Sequence, residues 1–168
     1  VKGKVITIIG AGGAGTAIAV QTALDGAKQI NIFNPKDPFF ANAEKTAEKI
    51  MTEVPACKVT VNDVNDQVTL YALIKASDIV GNATKVGMAP HTDGTVVADP
   101  SIFHEGLVVT DTVYNPIETR FLREAKAHGA KTIGGRGMLL WQGAAAFKLY
   151  SGEDMPLKEV EKIIFSKG

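Results

Sequence analysis

The chain has little of what marks several classes of protein. Its 168 residues carry 18 Lys+Arg and 18 Asp+Glu, so the basic excess of a nucleic-acid binder is missing. No apolar run approaches the roughly 20 residues of a membrane-spanning helix, and the first residues lack the pattern of a signal peptide. We therefore expect a cytoplasmic protein with no nucleic-acid partner and no membrane partner.

Cysteine is almost absent. The single Cys57 excludes both an intrachain disulfide and a metal site of the CxxC type. No histidine lies near it in the sequence, so we interpret it as a small buried hydrophobic residue. We expect no metal site.

Short β-rich runs alternate with helical periods along the chain. This alternation predicts βαβ units, and the nearly all-apolar runs are typical of strands buried on both faces. We predict a Rossmann-like, doubly wound α/β fold with a mainly parallel six-stranded sheet and helices on both faces. The predicted strands are "KVITIIG", "QINIFN", "CKVTVND", "SDIVGNA", "LVVTDTV" and "KTIGG".

The segments between the strands have helical patterns, and no linker composition divides the chain. Residues 38–53 are amphipathic, with an apolar stripe opposite a charged face. The segment from Pro116 to His128 reads as a helix with Pro116 in its first turn and Gly129 just past its end. One dinucleotide-binding domain over 1–168 is expected, and its other predicted helices span 14–25, 66–76, 137–152 and 156–165.

A glycine-rich turn follows the first predicted strand. Gly10 to Gly15 fit the pattern G-x-G-x-x-G, in which the first glycine allows a tight turn and the second lets a pyrophosphate approach the backbone. The third lets the helix pack close to the strand, and the helix N-terminus then offers N–H groups to the phosphates. The context of strand, turn and helix favours a dinucleotide over a plain connection. An adenosyl cofactor of the methyltransferase type is the main alternative.

The end of the second strand bears on which dinucleotide is bound. A binder of NAD usually has a carboxylate there for the ribose 2′-OH, but this chain has Asn34. Lys36 could meet a 2′-phosphate, whereas Asp37 would repel one and could hold a free 2′-OH. Asp37 could equally cap the next helix, with Pro38 as its first residue. NAD is slightly favoured, and NADP is tolerated.

Longer stretches of the chain resemble one family throughout their length. The chain is similar to the C-terminal half of shikimate dehydrogenase, and more narrowly to the quinate/shikimate branch that accepts both cofactors. The stretches that carry the resemblance are "IIGAGGAGTAIA", "GNATKVGM", "TDTVYNPIETRFLREAKAHGAKTIGGRGMLLWQGAAAF" and "YSGEDMP".

The resemblance implies a set of cofactor contacts. It assigns the pyrophosphate to the glycine loop and the adenosine ribose to residues 34–37, although Pro35 and Lys36 depart from the Asn-Arg-Thr pattern of the strictly NADP-dependent branch. It assigns the nicotinamide side to Lys85, to residues 112–115 and to Gly135. The expected cofactor-binding residues are Gly10, Ala11, Gly12, Gly13, Ala14, Asn34, Lys36, Asp37, Lys85, Thr112, Val113, Tyr114, Asn115 and Gly135.

The resemblance also implies which residues of this chain meet the substrate and which part of the enzyme carries the catalytic residues. Gln142 matches a residue that binds the substrate, and Tyr114 one that lines the substrate cleft. The family's catalytic Lys–Asp pair belongs to an N-terminal domain that would precede Val1, so we expect no catalytic residue in this chain. The parent enzyme would reduce 3-dehydroshikimate to shikimate, or dehydroquinate to quinate, reversibly, in aromatic amino acid biosynthesis. The fragment alone would bind dinucleotide weakly and be inactive.

Each of these residues also has an ordinary structural interpretation. Gln142 could pair within its helix, residues 114–116 could simply begin a helix, and Trp141 and Phe147 fit a core with Leu140. A stand-alone dinucleotide-sensing module without catalysis is a further alternative. A docking face for the N-terminal domain is expected on residues 135–150 and around Pro156, and the same face would allow a homodimer.

A proton donor for the alcohol oxygen is not evident. His128 reads as a helix C-cap, His104 precedes a strand on the wrong side of the sheet, and His91 has no evident orienting partner. Asp111 follows a strand at the correct end but makes no acid–base pair alone.

Overall fold

A computed structural model describes residues 1–165, and the last three residues of the predicted domain range lie outside the described residues. Six strands form one sheet in the order β3-β2-β1-β4-β5-β6, and every neighbouring pair is parallel. All six predicted strands are confirmed. They are β1 (Val5–Ile9), β2 (Gln29–Asn34), β3 (Lys58–Asp63), β4 (Ile79–Asn82), β5 (Val108–Asp111) and β6 (Lys131–Ile133).

Helices connect the strands in the way that a doubly wound sheet requires. The strand order reverses direction at β1, so the carboxyl ends of β1 and β4 border a crevice. A short 3-10 turn, Pro100–Ile102, precedes β5. The helices are α1 (Gly13–Leu24), α2 (Phe40–Glu53), α3 (Gln67–Lys75), α4 (Arg120–Ala127), α5 (Gly135–Ser151) and α6 (Leu157–Phe165).

Two apolar cores, one on each face of the sheet, hold the layers together. Because successive residues of a strand point to opposite faces, Ile8 packs with α1 and α2 while Ile9 packs with α3 and α4. The first core uses small helix residues such as Ala19 and Ala43, which let the helices approach the sheet closely. The predicted covering of both faces by helices is therefore confirmed. Cys57 is buried in the first core, as predicted.

Three predicted helix starts are wrong, and one is that of α5, which begins at Gly135 and not at residue 137. The fourth helix begins at Arg120 and not near Pro116, because Thr119 accepts the Leu122 N–H and caps it. The second begins at Phe40, so Pro38 is not its first residue. Asp37 caps no helix: its carboxylate accepts the Phe39 N–H in a turn before α2. His128 is the C-cap of α4 and Gly129 follows with φ +86°, as expected.

The last two helices pack less closely than the others. Among the residues of α5 only Gly135 and Leu140 are buried, and α6 has no buried residue within the described part of the chain. The expectation that Trp141 and Phe147 belong to the core with Leu140 is wrong, since they are 63% and 41% exposed. This part of the chain presents an apolar surface to its surroundings.

None of the helices in residues 1–165 combines the length and the apolar character that crossing a membrane would demand.

Candidate functional site

The glycine loop joins β1 to α1 in a conformation that glycine makes possible. Gly10 has φ +106°, and a Cβ there would lie 2.9 Å from the Ala83 carbonyl oxygen. A Cβ on Gly15 would lie 1.9 Å from the Gly10 carbonyl oxygen, so the helix can approach the strand only with glycine at this position. The tight turn and the close packing expected of the first and third glycines are both present.

The N-terminus of α1 leaves backbone donors open to a ligand. Its N-cap is Gly12, which has no side chain to accept a hydrogen bond from the first turn. The first N–H groups of a helix have no intrahelical acceptors, and together with the helix dipole they favour an anion. A Cβ on Gly12 or Gly13 would meet nothing within 4 Å. The loop therefore offers an open cradle that suits a phosphate group.

A cavity of about 630 Å³ opens from this loop along the carboxyl ends of β1, β2, β4 and β5. Open parallel sheets bind ligands at such a position, where the strand order reverses. Most of the predicted cofactor residues lie around it. The cavity is lined by Gly10, Ala11, Gly12, Gly13, Ala14, Asn34, Asp37, Phe39, Ala83, Thr84, Lys85, Met88, Thr112, Val113 and Tyr114.

Four of the predicted site residues do not line this cavity. Lys36 is exposed beside it, and Asn115 uses its carbonyl oxygen to accept the Ala89 N–H at 3.0 Å. Gly135 lies behind the cavity wall, where a Cβ would be 2.5 Å from the Thr112 carbonyl oxygen. Gln142 is exposed on α5. Their roles toward cofactor or substrate stay predictions.

Four cavity residues were not among the expected site residues: Phe39, Ala83, Thr84 and Met88. Phe39 is 59% exposed, and Met88 lies in the loop after β4. No signal in the sequence separates Phe39 from its neighbour Phe40, because only the structure shows which of the two rings is exposed. Met88 had no signal either.

Asn34 and Asp37 are joined at the end of β2. The buried Asn34 side chain accepts the Ala11 N–H at 3.0 Å and donates to the Asp37 carboxylate at 3.0 Å. It also donates to the Pro35 carbonyl oxygen at 3.0 Å. Asp37 lines the cavity, and within residues 1–165 the hydrogen bonds of its carboxylate all fall on Oδ1. Its Oδ2 remains available to a donor.

The buried carboxylate of Asp111 holds together the side of the cavity formed by the loops after β4 and β5. Asp111 accepts hydrogen bonds from the Val113 N–H at 2.9 Å, from Asn82 at 3.0 Å and from the Thr119 hydroxyl at 2.7 Å. Asn82 in turn accepts from the Thr84 N–H at 3.0 Å. Burial raises the pKa of Asp111 above its ordinary value, although these three hydrogen bonds act in the opposite direction. The group links the loops after β4 and β5 and lies behind the cavity surface.

The histidines contribute no acid–base pair in the described part of the chain. The Nδ1 atoms of His104 and His128 lie within hydrogen-bond distance of backbone carbonyls, at 2.8 and 2.9 Å. His91 is exposed in the loop after β4, beside Lys85 and Met88. Within residues 1–165 no histidine forms a hydrogen bond or ion pair with a carboxylate.

Known proteins share both the sequence and the fold. A family profile described as "Shikimate 5'-dehydrogenase C-terminal domain" matches residues 135–165. The chain is 51% identical over 99% of its length to a shikimate dehydrogenase (NADP(+)) of Streptococcus uberis, and 46% identical over 98% to a quinate/shikimate dehydrogenase of Escherichia coli. These relatives are members of the shikimate dehydrogenase family, and this chain matches their C-terminal half.

A solved member of the shikimate dehydrogenase family has nearly the same backbone. The crystal structure of a shikimate 5-dehydrogenase from Listeria monocytogenes, in complex with shikimate and NAD, matches 98% of this chain with a TM-score of 0.92 and 46% identity. The chain spans 56% of that protein, and 56% and 57% of the two curated relatives. The methyltransferase alternative is therefore wrong, and a nicotinamide dinucleotide is the supported cofactor class.

Proposed function

We propose that this chain is the dinucleotide-binding domain of an enzyme that transfers hydride reversibly between NAD(P)H and 3-dehydroshikimate or dehydroquinate. The open N-terminus of α1, facing the cavity with Gly12 as its N-cap, carries the proposal. The glycine cradle fits a pyrophosphate, and the cavity extends from it past Lys85 to Tyr114. When bound, the dinucleotide would supply or accept the hydride.

The cofactor of choice is NAD, with NADP tolerated. Asp37 lines the cavity, and its carboxylate has one oxygen free to accept a ribose 2′-OH, whereas Lys36 is outside the lining. A 2′-phosphate would meet the Asp37 charge without a guanidinium to balance it. The relatives include one named for NADP+ and one solved with NAD.

The chain would bind and orient reactants, and the proton-transfer groups would come from elsewhere in the protein. Tyr114 is 45% exposed at one end of the cavity and suits a wall of the substrate cleft. Gln142 is exposed on α5, where its amide could reach a polyhydroxy acid held between two domains. The proposed parent would place a Lys–Asp pair in its N-terminal half.

The apolar surface of α5 and α6 is the proposed docking face for that N-terminal half. Trp141 is the single tryptophan of the chain, so its fluorescence reports on this face alone. We expect its emission to shift to shorter wavelength when the N-terminal half of the Streptococcus uberis relative is added. A shift that depends only on the concentration of this chain would show homodimer formation instead.

Calorimetric titration with NAD+ and NADP+ tests the cofactor assignment, with Gly12→Asp as the decisive variant. Gly12 has φ −72°, a Cβ there meets open space, and Asp is a favoured N-cap residue. The variant should therefore keep or raise the melting temperature, while its carboxylate occupies the phosphate site and abolishes binding. Gly137→Asp is the matched control, because its Cβ also meets open space.

The outcomes separate the alternatives. Binding of a dinucleotide by the wild type, lost in Gly12→Asp and kept in Gly137→Asp, supports the proposal. Failure of the wild type to bind either dinucleotide, alone and with the N-terminal half added, contradicts it. Binding combined with no hydride transfer in the presence of that half would favour a stand-alone sensing module.

A further inference from the structure

Asn34 occupies the position where a dinucleotide domain usually presents a carboxylate to the ribose. It is only 6% exposed, and both hydrogens of its amide group are already used within the protein. One is donated to the Pro35 carbonyl oxygen and the other to the Asp37 carboxylate. A direct contact from its amide nitrogen to a cofactor would break one of these bonds.

The hydrogen bonds of Asn34 determine the orientation of its side-chain amide. Its Oδ1 faces the Ala11 N–H, which is a donor, and its Nδ2 faces two oxygen atoms. Turning the amide over would bring donor against donor at Ala11 and oxygen against oxygen at Asp37. The side chain is therefore a fixed bridge between the glycine loop and the turn that carries Asp37.

Asp37 is held by this bridge on one side of its carboxylate. Oδ1 accepts from Asn34 at 3.0 Å and from the Phe39 N–H at 2.9 Å. Both bonds fix the same oxygen, which leaves the other as the acceptor that a ribose hydroxyl would meet. Since Asp37 is otherwise an exposed residue of a turn, its direction depends on these two contacts.

We propose that Asn34 is a positioning residue that ties the glycine loop to Asp37 and so sets the preference between NAD and NADP. The inference rests on the proposed function and deepens it. Asn34 acts through Asp37 and makes no contact of its own with the ribose. A role confined to stabilising the fold would instead change the affinity for both dinucleotides equally.

A double-mutant cycle on the ratio of the NADP+ and NAD+ dissociation constants tests this. Asn34→Ala should reduce the preference for NAD+ by about tenfold, the effect of losing a hydrogen bond to a charged group. Asp37→Ala should reduce it at least as much. In the Asp37→Ala background, Asn34→Ala should leave the ratio within about twofold, because the residue through which it acts is gone.

Asn62→Ala is the matched control. Asn62 lies near the end of the neighbouring strand β3, donates to the Thr60 hydroxyl at 3.1 Å and does not line the cavity. It should leave the ratio unchanged. If Asn34→Ala fails to fold, Asn34→Leu takes its place, because it fills a similar volume and removes the bond to Asp37. It should reduce the preference for NAD+ with Asp37 present and leave the ratio within about twofold in the Asp37→Ala background.

Three results would overturn the inference alone. Equal weakening of both dinucleotides by the Asn34 variant would leave it a structural residue. If Asn34→Ala changed the ratio of the dissociation constants equally with and without Asp37, Asn34 would contact the cofactor directly. If Asp37→Ala left the ratio unchanged, Asn34 could not act through Asp37. A wild type that binds neither dinucleotide would overturn the proposed function as well, whereas the other results leave that function intact.

Discussion

The carboxylate of Asp111 and the hydroxyl of Thr119 are joined by a hydrogen bond of 2.7 Å between two buried residues. Asp111 ends β5 and Thr119 caps α4, so this contact fastens the strand to the start of the next helix. Thr119 also accepts the Leu122 N–H at 3.3 Å with the same oxygen. One hydroxyl therefore satisfies a buried carboxylate and a helix terminus together.

Replacing this hydroxyl should destabilise the fold. Thr119→Val keeps the shape but removes both bonds, and we expect a loss of about 2–4 kcal/mol in the free energy of unfolding. Thr46→Val is the control, because the Thr46 hydroxyl bonds only to the Asn42 carbonyl within its own exposed helix turn. It should change stability by less than about 0.5 kcal/mol. Urea unfolding measures both, and equal effects would contradict the assigned role.

Asp111 should also make stability depend on pH. Since burial raises its folded-state pKa above the ordinary 3.8, the folded chain retains this proton at pH values where the unfolded chain has lost it. The contribution of Asp111 to stability is complete below pH 3.8 and is lost as the pH rises through the raised pKa. Asp111→Asn should remove this loss. The stability of the variant relative to wild type should therefore increase as the pH rises from 3.8 through the raised pKa of Asp111.

Urea titrations of both proteins between pH 3.5 and pH 6 supply the comparison. Using the difference between them cancels the carboxylates whose pKa values are lowered, such as Asp78 beside Lys4, which act with the opposite sign. A difference that stays flat across this range would mean that the Asp111 pKa is not raised.

The third glycine of the loop should tolerate no side chain. Gly15→Ala would set a Cβ 1.9 Å from the Gly10 carbonyl oxygen, which forces the helix away from the strand. We expect a loss of at least about 3 kcal/mol, at the upper end of overpacking effects. Gly13→Ala, whose Cβ meets open space, should be neutral or stabilising by up to about 1 kcal/mol. Thermal denaturation compares the two, and similar melting temperatures would rule out the close packing.

The two lysines of the site should differ in their effect on binding. Lys85 lines the cavity and Lys36 does not. Lys85→Ala should weaken NAD+ and NADP+ alike by about three- to tenfold and reduce the salt dependence of binding, because an exposed cation attracts phosphate over a screened distance. Lys36→Ala should weaken binding less than Lys85→Ala does, because Lys36 lies outside the cavity lining. Calorimetry at two ionic strengths measures both variants, and a larger effect of Lys36 would reverse the assignment.

Local patterns were sufficient for the framework of the molecule. The apolar runs of β1 and β2, the amphipathic stripe of α2 and the glycine at φ +86° after α4 depend on neighbours within a few residues. The glycine loop is likewise a local device, in which each glycine meets its own strand or helix. For this reason the six strands, their order along the chain and the glycine cradle of the cavity were predictable, whereas Lys85 and residues 112–114 were expected only from the family resemblance.

Contacts between residues that are distant in the sequence were not predictable from local patterns. The helix α4 begins after Thr119 and not at Pro116, because the Thr119 hydroxyl bonds to Asp111 at the end of β5. A row of polar side chains also crosses the buried sheet, where Asn31 bonds Thr7 on one side and Thr60 on the other. These residues share one register position on β1, β2 and β3. The residue pattern within one strand does not predict which residue of the neighbouring strand it will pair with.

The sequence by itself determined that a glycine turn would open a helix beside a parallel sheet, because those preferences are carried by single residues and their near neighbours. Only the tertiary structure decided what Asn34 does, since its partner Ala11 is 23 residues away and reaches it through the pairing of β1 with β2. It also decided that Trp141 and Phe147 face outward, because burial depends on what packs over a helix and not on the spacing along it.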